Sequence, residues 1–198
     1  MGNVDMEKKL LRKEMLKKRD SIAPPNLLSW SDKIVSFVVS GSKYVRATDI
    51  LLYSSYGSEV ITKGLCEKAL KDGKEVFYPK VEGDYMSFYR VTSPADLNTG
   101  YKGILEPYGF GCKFKTGHNT VIIVPGVAFG RDGYRVGYGK GYYDKFLGRN
   151  TDIYKIGICF DQQLVNCVPR DEYDIQMDEI ITEKTILTRN GKGEARWV

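Results

Sequence analysis

Apolar residues fall along this chain in two rhythms. Asp49–Tyr53 (DILLY) and Thr120–Val124 (TVIIV) are short apolar runs rich in branched side chains, the pattern of strands buried on both faces. Glu75–Val81 and Met86–Val91 predict two more strands, with Glu82-Gly83-Asp84 as the turn between them. Tyr154–Phe160 predicts another, and Glu179–Thr182 a last short one. Between these runs the rhythm is helical. Residues 5–20 are charged and rich in good helix formers, and Pro24-Pro25 ends that segment. Asn26 or Ser29 would cap a second helix reaching about Val39, before Gly41. Ser58-Glu59 would open a third, closed by Asp72-Gly73 after Lys71. A fourth is expected from about Gly141 to Leu147. Strands alternating with helices predict an α/β three-layer sandwich with a largely parallel central sheet.

The 198 residues suit a single domain over 1–198 with a full-sized core and a loose basic tail at 189–198. The net charge of +5 is mild. It fits an anionic small molecule and does not argue for nucleic acid. Cys66, Cys112, Cys159 and Cys167 form no C-x-x-C pair, so they read as reduced thiols of a cytoplasmic protein. The charged N-terminus has no apolar segment of a signal peptide behind it, and no apolar run is long enough to span a bilayer. His118, in a Gly-His-Asn turn, is the single histidine, which nearly excludes Ser-His-Asp, Cys-His and multi-histidine metal chemistry. We expect His118 to be a surface loop residue.

The segment Arg131–Asp144 (RDGYRVGYGKGYYD) carries the densest chemistry. Glycines at 137, 139 and 141 alternate with Tyr138 and Lys140. Such a loop can bring successive main-chain N–H groups around an anion. Arg135 and Lys140 add charge for a polyphosphate, and Asp144 is a hard oxygen donor for Mg²⁺. The spacing matches neither the P-loop nor the dinucleotide fingerprint. The loop follows TVIIV, and ligands in parallel sheets sit beyond the carboxyl ends of strands. Tyr138, Tyr142 and Tyr143 read as ligand contacts more readily than as packing.

Other candidates are weaker taken singly. Lys8, Arg12 and Arg19 lie on one stripe of the first helix. The ordinary reading of such a stripe is a solvated face; the alternative is a phosphate clamp. Glu59 reads first as an N-terminal helix cap and second as an acceptor for a ligand N–H. Asp174 reads as a turn residue, or as a second carboxylate for Mg²⁺. On the residues alone, an ATP-dependent phosphotransferase and a non-catalytic binder of polyanions both remain open.

The glycine segment resembles the signature of the 5-formyltetrahydrofolate cyclo-ligases, also called methenyltetrahydrofolate synthetases. Minor motifs agree in order: Lys8–Arg12, Leu52–Thr62, Pro79–Val81, Gly103–Pro107, Val124–Phe129 and Phe160–Glu183. The resemblance covers about residues 8 to 183 and implies a NagB/RpiA/CoA-transferase-like sandwich. It implies ATP-dependent cyclisation of 5-formyltetrahydrofolate to 5,10-methenyltetrahydrofolate, through a phosphorylated formyl group. ATP contacts would fall on Lys8, Arg12, Arg135, Val136, Gly137, Tyr138, Gly139, Lys140, Gly141, Tyr142 and Tyr143. Folate contacts would fall on Ser54, Glu59 and Tyr138 to Tyr142. Mg²⁺ would be held by Asp144 and Asp174, and Lys140 and Arg135 would stabilise the transferring phosphoryl group. The implied partners are folate and ATP, with no nucleic acid and no membrane, acting on a monomer. Gly130 stands where many bacterial members have Asp, and Tyr173 where His often precedes the Asp.

Overall fold

A computed structural model describes residues 2–189 other than 101, 102, 110, 116 and 118. His118 and the tail beyond residue 189 therefore lie outside the described residues. The chain begins with helices α1 (Gly2–Asp20), α2 (Pro24–Ser40) and α3 (Ser42–Arg46). Strand β1 (Asp49–Leu51), helix α4 (Lys63–Lys71) and strands β2 (Glu75–Glu82) and β3 (Tyr85–Val91) follow. Next come β4 (Leu97–Thr99), β5 (Leu105–Pro107), β6 (Thr120–Val124), β7 (Ala128–Gly130) and β8 (Arg135–Val136). Helix α5 (Tyr142–Arg149) precedes β9 (Tyr154–Ile158), β10 (Leu164–Val165), β11 (Glu179–Ile181) and β12 (Ile186–Thr188).

Among the described residues the main sheet runs β12-β11-β9-β6-β1-β2-β3. The strands from β11 to β2 are mutually parallel, and the two edge strands are antiparallel. Successive side chains of a strand point to opposite faces, and the core divides accordingly. Ile50, Leu52, Val121 and Ile123 pack with Ile34 and Val38 of α2 and Leu65 and Ala69 of α4. Leu51, Ile122 and Val124 pack on the other face with Leu147 of α5. The expected three-layer α/β arrangement is therefore what the chain adopts. No helix among the described residues is long and apolar enough to cross a membrane.

Several local expectations are corrected. The third helix starts at Lys63, not at Ser58, so Glu59 caps no helix. Residues 54–62 instead form a stitched loop. The Ser55 hydroxyl donates to Val60 O and accepts from Thr62 N, and the Thr62 hydroxyl donates to Tyr53 O. Pro24-Pro25 does not simply end the first helix; it forms the first turn of α2, where a missing N–H costs nothing. The glycine loop does not follow β6 directly. A small sheet, β10-β7-β8, intervenes and puts Arg135 on a strand.

Candidate functional site

The small sheet sets the position of α1. Met15 is buried against Val127, Ala128, Val136 and Val168, with Leu11 and Leu16 beside it. Full burial of a side chain of this size stabilises by about 1.5–3 kcal/mol. That apolar stripe fixes α1 against β8, immediately before the glycine loop, and so turns the neighbouring basic stripe toward the loop. The stripe is not a solvated face. Arg12 Nε donates to Gly137 O at 2.7 Å. Lys8 Nζ donates to Asp171 at 2.7 Å and to Asp174 at 2.6 Å. Arg19 is only 3% exposed.

Two of the three loop glycines need their lack of a side chain. Gly139 has φ 96°, and a Cβ there would sit 3.4 Å from the Arg12 guanidinium. Gly141 has φ 66° and leads into α5, whose first-turn N–H groups have no intrahelical acceptor. Gly137 has no positive φ and open space around it; its role is its carbonyl. Val136 is buried in the small sheet's core, so it anchors the loop. Lys140 is exposed and has no hydrogen-bond or salt-bridge partner among the described residues. The tyrosines differ from one another. Tyr138 is 50% exposed. Tyr142 reaches Gly83 O at 3.4 Å. Tyr143 packs into both main core clusters and meets Phe88 edge-on, so packing accounts for much of it. Burial pushes the Tyr143 phenol up, with the Glu59 charge adding to it and Arg135 opposing.

Glu59 lies at the other wall, beyond the carboxyl end of β1. It is 6% exposed, and its Oε2 accepts from Tyr56 N at 3.0 Å. Burial raises its pKa, while the Tyr56 amide, the Arg19 charge and the Tyr138 hydroxyl pull against that rise. Arg19 joins this wall to the glycine loop. Its Nε donates to Ser58 at 2.9 Å and its Nη2 to the Tyr138 hydroxyl at 2.7 Å. Among the described residues its buried Nη1 has no hydrogen-bond partner, nor has the buried Ser54 hydroxyl. Buried polar atoms left this way are costly, and they cluster where a ligand is to be met. Arg19 was visible in the sequence as a member of the basic stripe. Its partners lie 39 and 119 residues away, and no local signal names them.

The carboxylates form the third part. Arg135 holds Asp144 in a two-bond fork, at 3.0 and 3.2 Å, and Asp144 also accepts from Ile175 N at 3.1 Å. Asp174, next in sequence to Ile175, accepts from Lys8 and from Asp171 N. Each of the two carboxylates is thus answered by a cationic side chain. Carboxylates are the hard oxygen donors that Mg²⁺ takes, one or two of them with water and phosphate completing its shell, and here their oxygens are engaged by Arg135 and Lys8. Among the described residues, no three His, Cys, Asp or Glu groups gather into a metal cage. Arg135 keeps a buried Nε without a partner. Gly130 is explained locally: a Cβ there would collide with the Asp132 carboxylate. Tyr173, in place of the expected His, is exposed.

Comparison with known proteins is consistent along nearly the whole chain. Residues 4–183 match the model of the 5-formyltetrahydrofolate cyclo-ligase family. A Schizosaccharomyces pombe protein named "Probable 5-formyltetrahydrofolate cyclo-ligase" is 31% identical, over 93% of this chain and 98% of that protein. A mouse 5-formyltetrahydrofolate cyclo-ligase is 28% identical, over 91% of this chain and 95% of the other. The structure of Aquifex aeolicus 5,10-methenyltetrahydrofolate synthetase superposes with a TM-score of 0.84 at 38% identity, covering 94% of this chain and 95% of that one.

Proposed function

The chain belongs to the 5-formyltetrahydrofolate cyclo-ligase family, and we propose that the glycine loop and the two walls beside it carry out that family's reaction. The protein is a ligase that cyclises 5-formyltetrahydrofolate to 5,10-methenyltetrahydrofolate in an ATP-dependent reaction. The observation that carries the site assignment is the Arg12–Gly137 hydrogen bond, which brings the basic helix to the glycine loop. We assign ATP to Lys8, Arg12, Arg135 and the loop from Val136 to Tyr143. We assign the folate to Ser54, Glu59 and the segment Tyr138 to Tyr142.

The chemical problem is a formamide oxygen, a poor leaving group. In the reading we favour, the formyl oxygen attacks the γ-phosphorus and the bond to ADP breaks. The product is an imidate phosphate. Nitrogen-10 then attacks the formyl carbon, the carbon–oxygen bond breaks, phosphate departs with that oxygen, and the nitrogen-10 proton leaves to solvent. Such a transfer asks the protein chiefly for alignment and charge stabilisation. Lys140 brings an ammonium with no partner to satisfy, and the amides at the start of α5 face developing negative charge. Glu59 holds the folate through N–H groups. Asp144 and Asp174 would hold Mg²⁺, which would offset charge on the phosphate oxygens. No histidine base is required. We read the protein as a cytoplasmic monomer; its four free cysteines support a reducing compartment.

The test is near-ultraviolet absorbance after mixing the protein with 5-formyltetrahydrofolate and MgATP. A rising methenyl chromophore that needs both ATP and metal is expected. ADP without chromophore would assign the nucleotide site to another acceptor, and neither product would leave a binding protein.

A further inference from the structure

Arg19 and Glu59 face each other with Arg19 Nη1 4.0 Å from Glu59 Oε1. That is too long for a hydrogen bond, yet close enough for both groups to reach one small polar edge. Both are buried, and Nη1 has no hydrogen-bond partner among the described residues. The Tyr138 hydroxyl currently touches the pair. It accepts from Arg19 Nη2 at 2.7 Å and lies beside the Glu59 carboxylate. A hydroxyl can accept and donate at once, and that double capacity is what this pair demands. Tyr138 is half exposed and stands between Gly137 and Gly139, so its side chain is the displaceable member.

We propose that Arg19 and Glu59 together read a lactam edge of the substrate, with Arg19 Nη1 donating to the ring carbonyl while Glu59 accepts from the adjoining ring N–H and amino group. The Tyr138 hydroxyl holds that place until the ligand arrives. On the assignment of folate to this wall, on which the inference rests, the edge is that of the 2-amino-4-oxo pyrimidine ring. Arg19 is then a specificity-determining residue for the carbonyl. A ring bearing an amino group in place of the carbonyl would set N–H against N–H and leave Nη1 buried and unpaired.

The experiment measures dissociation constants of 5-formyltetrahydrofolate and its 4-amino counterpart by titration calorimetry. It is done on the intact protein and on Arg19→Met and Arg19→Gln. The intact protein is expected to prefer the carbonyl ring. In Arg19→Met that preference should fall by about tenfold or more, the worth of a hydrogen bond to a charged group. Because the readout is a ratio of two ligands on one protein, a general loss of packing cancels. Arg19→Gln carries the same test if the Met variant fails to fold, since its amide can turn either its oxygen or its N–H to the ring and the preference should again drop. An unchanged preference in the folded variants overturns the role of Arg19 and leaves the folate assignment standing. Failure of the intact protein to bind either ligand overturns that assignment and the inference with it.

Discussion

Lys8 Nζ and Asp174 Oδ2 lie 2.6 Å apart across 166 residues of sequence, and the same ammonium reaches Asp171 at 2.7 Å. Burial works against the Lys8 charge, but the hydrogen bonds and charges of Asp171 and Asp174 outweigh it and raise the Lys8 pKa. The Lys8 ammonium occupies the Asp174 carboxylate here, so Mg²⁺ would have to take its place before Asp174 could serve as a donor. Asp174→Asn keeps the shape and removes the charge. The Mg²⁺ concentration giving half-maximal velocity should rise by on the order of tenfold, as one of at most two carboxylates is lost. Thermal stability should move little, because Lys8 keeps Asp171. A Mg²⁺ titration matching that of the unaltered protein would remove Asp174 from the metal site.

Lys140 sits in the loop without a partner among the described residues, so its side chain does little for the fold. Lys140→Ala should leave stability within about 0.5 kcal/mol. Its turnover should fall by about 10²–10³, the usual loss when a group facing transition-state charge is removed. Stopped-flow absorbance and thermal melts separate the two effects. Near-normal turnover would sink the assignment of Lys140 to charge stabilisation.

Much of this could be read from the chain. TVIIV announced a central strand because burial on both faces demands a continuous β-branched run. The alternation of glycine with Tyr138 and Lys140 marked the loop because packing gives no reason for it. The misreadings arise where tertiary contacts override local preference. Ser58-Glu59 has the residue types of a helix start, but the side chains of Tyr53, Ser55 and Thr62 hold that segment in a loop. Glu59 therefore looked like a cap and is a buried wall residue. Strands β8 and β10 have two residues each, too few to show a period. Arg19 on its own is one more basic residue of a charged helix. Only the small sheet, which buries Met15 and orients α1, reveals where Arg19 points.

Gly130 stands where the family resemblance leads one to expect Asp, and the structure ties the glycine to Asp132. A Cβ at 130 would collide with the Asp132 carboxylate and come within 3.1 Å of Val168 N. Asp132 in turn pairs with Arg170 at 3.3 Å. Restoring the acid alone, as Gly130→Asp, should cost about 1–3 kcal/mol through overpacking. The pair Gly130→Asp with Asp132→Gly should recover most of that loss. Urea midpoints of the single and double variants decide it: equal losses in both would mean that the two positions are not coupled.

Glu59 connects the substrate wall to stability. Burial, before any other influence, raises its pKa, so the folded protein holds the Glu59 proton more tightly than the unfolded chain does. Between the ordinary carboxylate value and the raised one, the native state binds more protons. Stability therefore falls as pH rises through that window and levels off above it. Glu59→Gln has no proton to lose. At neutral pH the Gln variant should be the more stable protein, and its advantage should shrink to nothing as the pH drops below the ordinary carboxylate range. Thermal unfolding of both proteins between about pH 4 and about pH 8 tests this. An advantage that does not vary with pH would show that the ionisation of Glu59 is not its source. The same variant should bind 5-formyltetrahydrofolate about 10- to 100-fold more weakly, since a charged acceptor becomes a neutral one. A carboxylate whose ionised form is opposed by burial costs the fold, and ligand binding is a reason for it to persist.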